Sequence, residues 1–587
     1  MRRSLIPVLL SAWLLAGSPL EARQDSAPAP TPVVEVRVTG LDEAMLQSAT
    51  QAIELRALAS RKQVSPALVR RLHEQAAGEI ARSLEAFGYY QVKVDGDLQQ
   101  VGERFVATYQ VDPGPPTRVV ELVVDTGGVA AENRRVARVV ERFRPRLSEV
   151  LRHPTYEDSK SKVFQALLSE GYLEAEVKQA RVEVVRARNE ADIQLVYQPG
   201  PRYALGETRF VGSQVDTARL ARLIPYQPGE EYRLNKLLTL QRRLVDTGYF
   251  SVVDVAPDVD DLGDGRVPIE VRLEPTARTE YRAGLFFGTD SGPGIRGSME
   301  RRWLNQRGDQ GRAEFEFSDK LKYGAIIYTR PLDRPGRPLL QAKASWSDRV
   351  TDSSESRQKR LSVSYIGDWR GWKQNLSMNL LDGDFEVGGE SGSSTLLYPS
   401  WELARSTLRP AGDPSRGHSL SLTLRGAPSA LGSDTDFLQL LAKGRYVRPV
   451  GKGGHKLILK ADLGATYVDD FDQLPPELRF FAGGDRSLRG FSFQELGPEN
   501  DAGKVRGGPY LATVSAEYER RISDPWAVAT FVDAGNAFDS GQFDPVVSVG
   551  AGIRWRGPVG LVRLDLGVGV SEEDTPLRLH LIIGGEL

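Results

Sequence analysis

Phe480-Phe481-Ala482-Gly483-Gly484-Asp485-Arg486-Ser487-Leu488-Arg489-Gly490-Phe491 is a loop by chemistry, rich in glycine and carrying two arginines. The segments on either side alternate apolar and polar residues with the period of two that a strand imposes. A charged connection between strands ordinarily faces water. This one also holds Phe480, Phe481, Leu488 and Phe491, which is apolar surface to bury. The combination implies a loop folded back into an enclosed space, the lumen of a closed sheet.

The alternation extends from about residue 279 to the end. Ser419-Leu420-Ser421-Leu422-Thr423-Leu424 puts leucines on one face and small polar groups on the other. Residues 562–570 set an aliphatic face against Arg563, Asp565 and two glycines, and Leu577, Leu579 and Leu581 alternate with Arg578 and His580. A two-sheet sandwich alternates too. Length, loop chemistry and an export-type N-terminus favour a transmembrane antiparallel β-barrel over residues 276–587. Strands of ~10 residues would make about 16 of them, an even count. The first is expected at 279–287 and the last at 577–585. The last ends in Gly584-Gly585, and glycine weakens a strand, so the closing seam is expected there.

Arg2 and Arg3 precede an apolar run over 5–16, too short to span a bilayer at ~20 residues. Residues 1–22 therefore read as a cleaved signal peptide, and 23–32 as a Pro-rich lead-in. Beyond it no run of 18 apolar residues occurs, and mean hydropathy is −0.34. If the chain sits in a membrane, a closed barrel must hold it there, because backbone polar groups in lipid need internal partners. Lysine plus arginine (76) nearly balance aspartate plus glutamate (78), so net charge gives no pull toward nucleic acid. Cysteine is absent, which excludes thiolate chemistry and disulfides.

Residues 33–275 repeat. Gly88-Tyr89-Tyr90, Gly171-Tyr172-Leu173 and Gly248-Tyr249-Phe250 recur roughly every 80 residues. Each follows an amphipathic helix, and its glycine supplies a left-handed C-cap. The helical stripes are Val69, Leu72, Ala76, Ile80 and Leu84; then Val163, Leu167 and Leu168; then Leu237, Leu240 and Leu244. Strands leading into Pro113-Gly114, Pro199-Gly200 and Pro275 close the units. Each reads strand, helix, helix, strand, strand, enough for a small α+β core. The boundaries are 33–114, 115–200 and 201–275.

No catalytic signature appears. The five histidines are scattered without metal-ligand spacing, and neither a phosphate-cradling Gly-Lys-Ser/Thr loop nor a nucleophile elbow occurs. Catalytic residues, cofactors and metals are therefore expected to be none. The informative group is Arg489. If its loop turns into the barrel, the guanidinium needs an acidic partner. Glu517 sits opposite Val514, Ala516 and Tyr518 in face, and Asp533 opposite Thr530 and Val532, so both carboxylates point inward.

The loop and the repeats resemble the POTRA-barrel superfamily, outer-membrane proteins that insert or export other proteins. The resemblance makes the units POTRA domains and the fold three POTRA domains followed by a barrel. It implies that Gly484, Asp485, Arg486, Leu488, Arg489, Gly490 and Phe491 form the signature lid-loop motif, with Asp533 and Glu517 as lumen partners of Arg489. Pro475 to Ser487 and the ending Gly584-Gly585-Glu586-Leu587 are similar to the TamA type within that superfamily. That likeness implies barrel or autotransporter clients, a seam at Gly584 and Gly585 that opens laterally in the outer-membrane lipid, and a TamB-type periplasm-spanning partner docked on the first repeat, with residues 34–38 as the contact. The alternative is a two-partner-secretion exporter for a dedicated passenger, which usually carries two POTRA units and a plug helix.

Overall fold

The computed structural model describes residues 34–61, 64–102, 104–332, 338–408, 414–451, 453–557, 560–572 and 575–583. The expected signal peptide and Gly584 and Gly585 lie outside them. The chain divides into two compact units, one ending near Ala204 and one holding the rest apart from residues 231–234.

The first unit contains two α+β domains. In the first, Val34–Thr39 pairs parallel with Arg104–Asp112, which pairs antiparallel with Lys93–Val101. The last strand in sequence is thus central, and its inward residues Phe105, Ala107, Tyr109 and Val111 are buried. Helices Glu43–Ala52 and Pro66–Glu85 cover that face with Met45, Ala49, Val69, Leu72, Ala76, Ile80 and Leu84. The Asp42 carboxylate caps the first by accepting from Met45 N at 2.9 Å, and Pro66 opens the second, where its missing N–H costs nothing.

The second domain repeats the order with Arg118–Asp125, Glu190–Gln198 and Glu176–Val185, again with the last strand central. It departs from the expected two helices. Gly128–Glu132 and Arg134–Glu141 are separate helices because Asn133 is extended and its side chain caps the second, accepting from Arg135 N at 2.9 Å. Helix His153–Ser169 completes the layer.

The second unit starts with a third sheet, Ala204–Val211, Arg266–Pro275 and Phe250–Pro257, under helix Leu234–Val245 and its buried Leu237, Leu240 and Leu244. Sixteen antiparallel strands then close on themselves, from Thr279–Gly288 to Leu577–Ile583. Closure pairs the ladder groups that an open edge would leave bare. Along Trp526–Phe538 the alternation is strict: Val528 and Val532 are exposed outward, while Ala527, Ala529, Phe531 and Asp533 are buried inward. The outward apolar set also includes Leu420, Leu424, Leu564, Leu566, Leu577 and Leu579, a surface that suits hydrocarbon rather than water. The third domain is tied to the barrel: Tyr249 Oη donates to Gly308 O at 2.6 Å in a turn whose Asp309 is fully buried against Tyr328 and Arg330.

Candidate functional site: a loop seated in the barrel wall

Residues 469–509 connect strands His455–Val468 and Tyr510–Arg521. The connection folds inward and pairs with itself through bridges Phe480 to Gly508, Ala482 to Leu496 and Glu499 to Val505. Arg479 fastens its base. Its guanidinium donates to Leu474 O at 2.6 Å, Asp472 O at 3.0 Å and Arg506 O at 3.1 Å, and stacks 4.7 Å from the Phe471 ring. Leu474 and Leu478 pack on Leu381, Leu396, Tyr398 and Phe437 of the wall, while Glu477 accepts from Ser356 and Gln358.

At the tip, Arg489 is only 2% exposed. Its Nε donates to Asp533 Oδ2 at 2.9 Å and its Nη2 to Asp533 Oδ1 at 2.8 Å, a bidentate fork. Nη1 donates to Glu517 Oε2 at 2.5 Å, and the guanidinium lies 3.4 Å from the Phe531 ring centroid. The partners have partners. Arg554 bridges Glu517 Oε1 at 3.0 Å to Asp565, and Arg563 meets Asp565 Oδ2 at 3.3 Å. Arg489, Arg554 and Arg563 thus balance Glu517, Asp533 and Asp565. Charges this buried persist only when paired and hydrogen-bonded.

Strand register explains how one side chain reaches so many walls. Ser515 is opposite Asp533, Glu517 opposite Phe531, and Asp565 opposite both Gly552 and His580. Gly550 faces Phe531 on one side and Gly567 on the other, so the wall is hollow beneath the loop. The backbone of Arg489-Gly490 fills that hollow. A Cβ on Gly567 would stand 2.2 Å from Arg489 O, and one on Gly490 would stand 2.5 Å from Gly569 N. Ala482, Leu488 and Phe491 pack with Val546 around the tip.

The remaining motif residues have distinct surroundings. Gly484 has φ +98°, a conformation that suits glycine. The next amide, Asp485 N, donates to Asp290 Oδ2 at 2.7 Å. Arg486 is exposed toward a luminal cavity of about 240 Å³ that Lys443, Arg445 and Lys460 also line. Sequence reasoning did not single out Arg554, Arg563, Asp565, His580 or Asp290 as site residues. Inward alternation placed three of them on the polar face, but only the cross-strand register brings them to Arg489.

The cylinder closes between its first and last strands. Thr279–Gly288 pairs with Gly292–Arg301 along its whole length, from Thr279 opposite Arg301 to Gly288 opposite Gly292. On its other side the described ladder holds Phe287 opposite Ile583 and Gly288 opposite Ile582. Thr289 N adds a bond to Leu581 O at 3.1 Å, and Leu581 N one to Thr289 Oγ1 at 2.7 Å.

Comparison with known proteins adds three family matches. The Omp85 superfamily domain matches residues 340–586, the first POTRA domain of TamA matches 35–113, and a POTRA family described as a surface antigen variable number repeat matches 203–276. The outer membrane protein assembly factor BamA of Nitratidesulfovibrio vulgaris is 23% identical over 362 residues, 59% of this chain. The alignment takes in 46% of that relative, so the chain spans about half the length of the curated relative it matches. Among solved structures, BamA from Haemophilus ducreyi lacking POTRA domains 1–3 superposes with a TM-score of 0.70 at 16% identity, covering 80% of this chain and 99% of that one. CdiB from Acinetobacter baumannii gives 0.45 at 13% identity, covering 80% and 90%.

Proposed function

From a chain that carries an Omp85 superfamily barrel behind POTRA domains, set in the outer membrane with those domains in the periplasm, we propose an assembly factor that inserts or translocates β-barrel clients through its own seam. The observation that supports this reading is the seam itself, where the last strand Leu577–Ile583 returns to the first, Thr279–Gly288, to close the cylinder. Were those two strands to part, each would present an edge of N–H and C=O groups able to recruit another strand. A client strand would add to this edge, exchanging backbone hydrogen bonds with no covalent change and no nucleotide. Arg489, Glu517 and Asp533 hold the loop in the lumen while that edge works. The work is strand pairing, not catalysis.

The match of residues 35–113 to the first TamA POTRA domain supports the TamA subtype. On that reading a TamB-type partner docks on the first domain, where Lys93–Val101 and Val34–Thr39 are the edge strands of the sheet.

A reversible lock tests the seam. Phe287 and Ile583 are paired and both face outward, and paired strand positions are close enough for a disulfide. The chain has no cysteine to interfere. The oxidised Phe287→Cys/Ile583→Cys protein is expected to lose client insertion in proteoliposomes and regain it on reduction. Unchanged insertion with the bond formed would remove the seam from the mechanism.

A further inference from the structure

The loop tip does more than balance charge against the wall. It touches both sides of the seam, the first hairpin through Asp290 and the last strand through His580. His580 on the last strand donates from Nε2 to Arg489 O at 2.9 Å. Its Nδ1 faces Asp290 Oδ1 at 3.5 Å. Asp290 belongs to the turn that ends the first barrel strand, and its Oδ2 accepts from Asp485 N at 2.7 Å. A closed circuit results: first hairpin, loop, last strand, first hairpin. His580 is 3% exposed, so these contacts lie out of bulk water, where a hydrogen bond without a partner is costly. Arg578 adds a second tie from the last strand to the loop, meeting Glu495 at 3.2 Å.

We propose that Asp290 and His580 form a clasp, positioning residues through which the lumen loop keeps the first and last strands together. The proposal rests on the reading of the seam as the place where the barrel opens. The circuit spans the same place as the direct pairs Phe287–Ile583 and Gly288–Ile582, so it adds to closure there. The clasp also makes opening conditional. The strands part freely only when Asp485-Arg489 moves off Asp290 and His580, and that movement strains the Arg489 fork to Asp533. Beside the clasp a cavity of about 310 Å³, lined by Thr289, Asp290, Ser492, Phe493, Arg578 and His580, gives the segment space to shift. Loop and seam thereby become one two-state element rather than two independent ones.

Hydrogen–deuterium exchange on the full chain in detergent tests this without any client, so its result is separate from that of the insertion assay. Exchange of a protected amide scales with the population of the open state. Asp290→Ala and His580→Ala are each expected to speed exchange in peptides covering 284–291 and 577–583 roughly three- to tenfold, the change that losing about one net hydrogen bond produces. Peptides within Glu390–Ser406, the eighth of the sixteen strands and across the barrel from the seam, should not change. The double variant should exceed neither single variant by much, because both break one circuit. His580→Gln, which keeps an N–H donor, should restore most of the protection. If Asp290→Ala fails to fold, the isosteric Asp290→Asn should still raise seam exchange about threefold by weakening the acceptor. Unchanged seam exchange, a uniform rise across the barrel, or fully additive effects would each overturn the clasp.

Discussion

Arg489→Glu is expected to expel the loop from the lumen and to remove most of the folded barrel. The substitution places a carboxylate among Asp533, Glu517 and Asp565, which lie 0–3% exposed. Removing one partner of a buried ion pair already costs about 3–5 kcal/mol, because the remaining charge is stranded. Reversing the sign adds repulsion on top of that loss. A domain's net stability is of the order of 5–15 kcal/mol, so the effect is large on that scale. Two measurements read it: the fraction of protein that stays compact in SDS without heating, and the protease sensitivity of residues 469–509. Arg489→Lys should fall between, since an ammonium keeps the charge and loses the bidentate fork. Combining Arg489→Glu with Asp533→Arg should recover part of the folded fraction. Full protection of the loop in Arg489→Glu would mean that the ion network does not seat it.

Gly490→Val should unseat the same tip by a different route and leave every charge in place. The added Cβ would stand 2.5 Å from Gly569 N and 2.7 Å from Ser548 Cβ. These are wall atoms of paired strands and cannot step aside as a flexible side chain could. Overpacking typically costs about 1–3 kcal/mol, and here the neighbours include backbone that cannot move aside. The comparison with Arg489→Glu is informative. Gly490→Val should expose the loop to protease while a large part of the barrel remains compact, because Arg554 still compensates Glu517 and Asp565. Gly490→Val retaining wild-type protease resistance would show that the tip does not rest against the strand Gly560–Gly569.

The residues near Arg489 illustrate what a sequence discloses and what it conceals. A strand's period of two is local, so the inward face of Glu517 and of Asp533 can be read from their immediate neighbours. The same rule put Arg563, Asp565 and His580 on the polar face. Their convergence could not be read, because it depends on the stagger between non-adjacent strands, a property of closure rather than of any one segment. The glycines follow the same logic. Gly567 looks like a weak point in a strand, and becomes intelligible once Arg489 O is found 2.2 Å from where its Cβ would be. Asp290 is the extreme case. It lies 195 residues from the loop amide it accepts from, in a turn with no motif around it. The repeated domains were easier, since glycine C-caps and helix stripes are encoded within single elements. The break at Asn133 came from a side-chain cap that a periodicity argument does not weigh.

Arg479 binds three carbonyls of its own loop and no acidic group of the wall among its described bonds. Its hydrogen bonds therefore travel with the loop, and the Phe385 ring of the wall, 5.8 Å away, is the contact it would leave behind. When the tip lets go, the segment should come away as a preformed stopper instead of unravelling strand by strand. Ion flow through a bilayer-reconstituted molecule would then switch between blocked and conducting levels in abrupt jumps, with few dwell times at values between them.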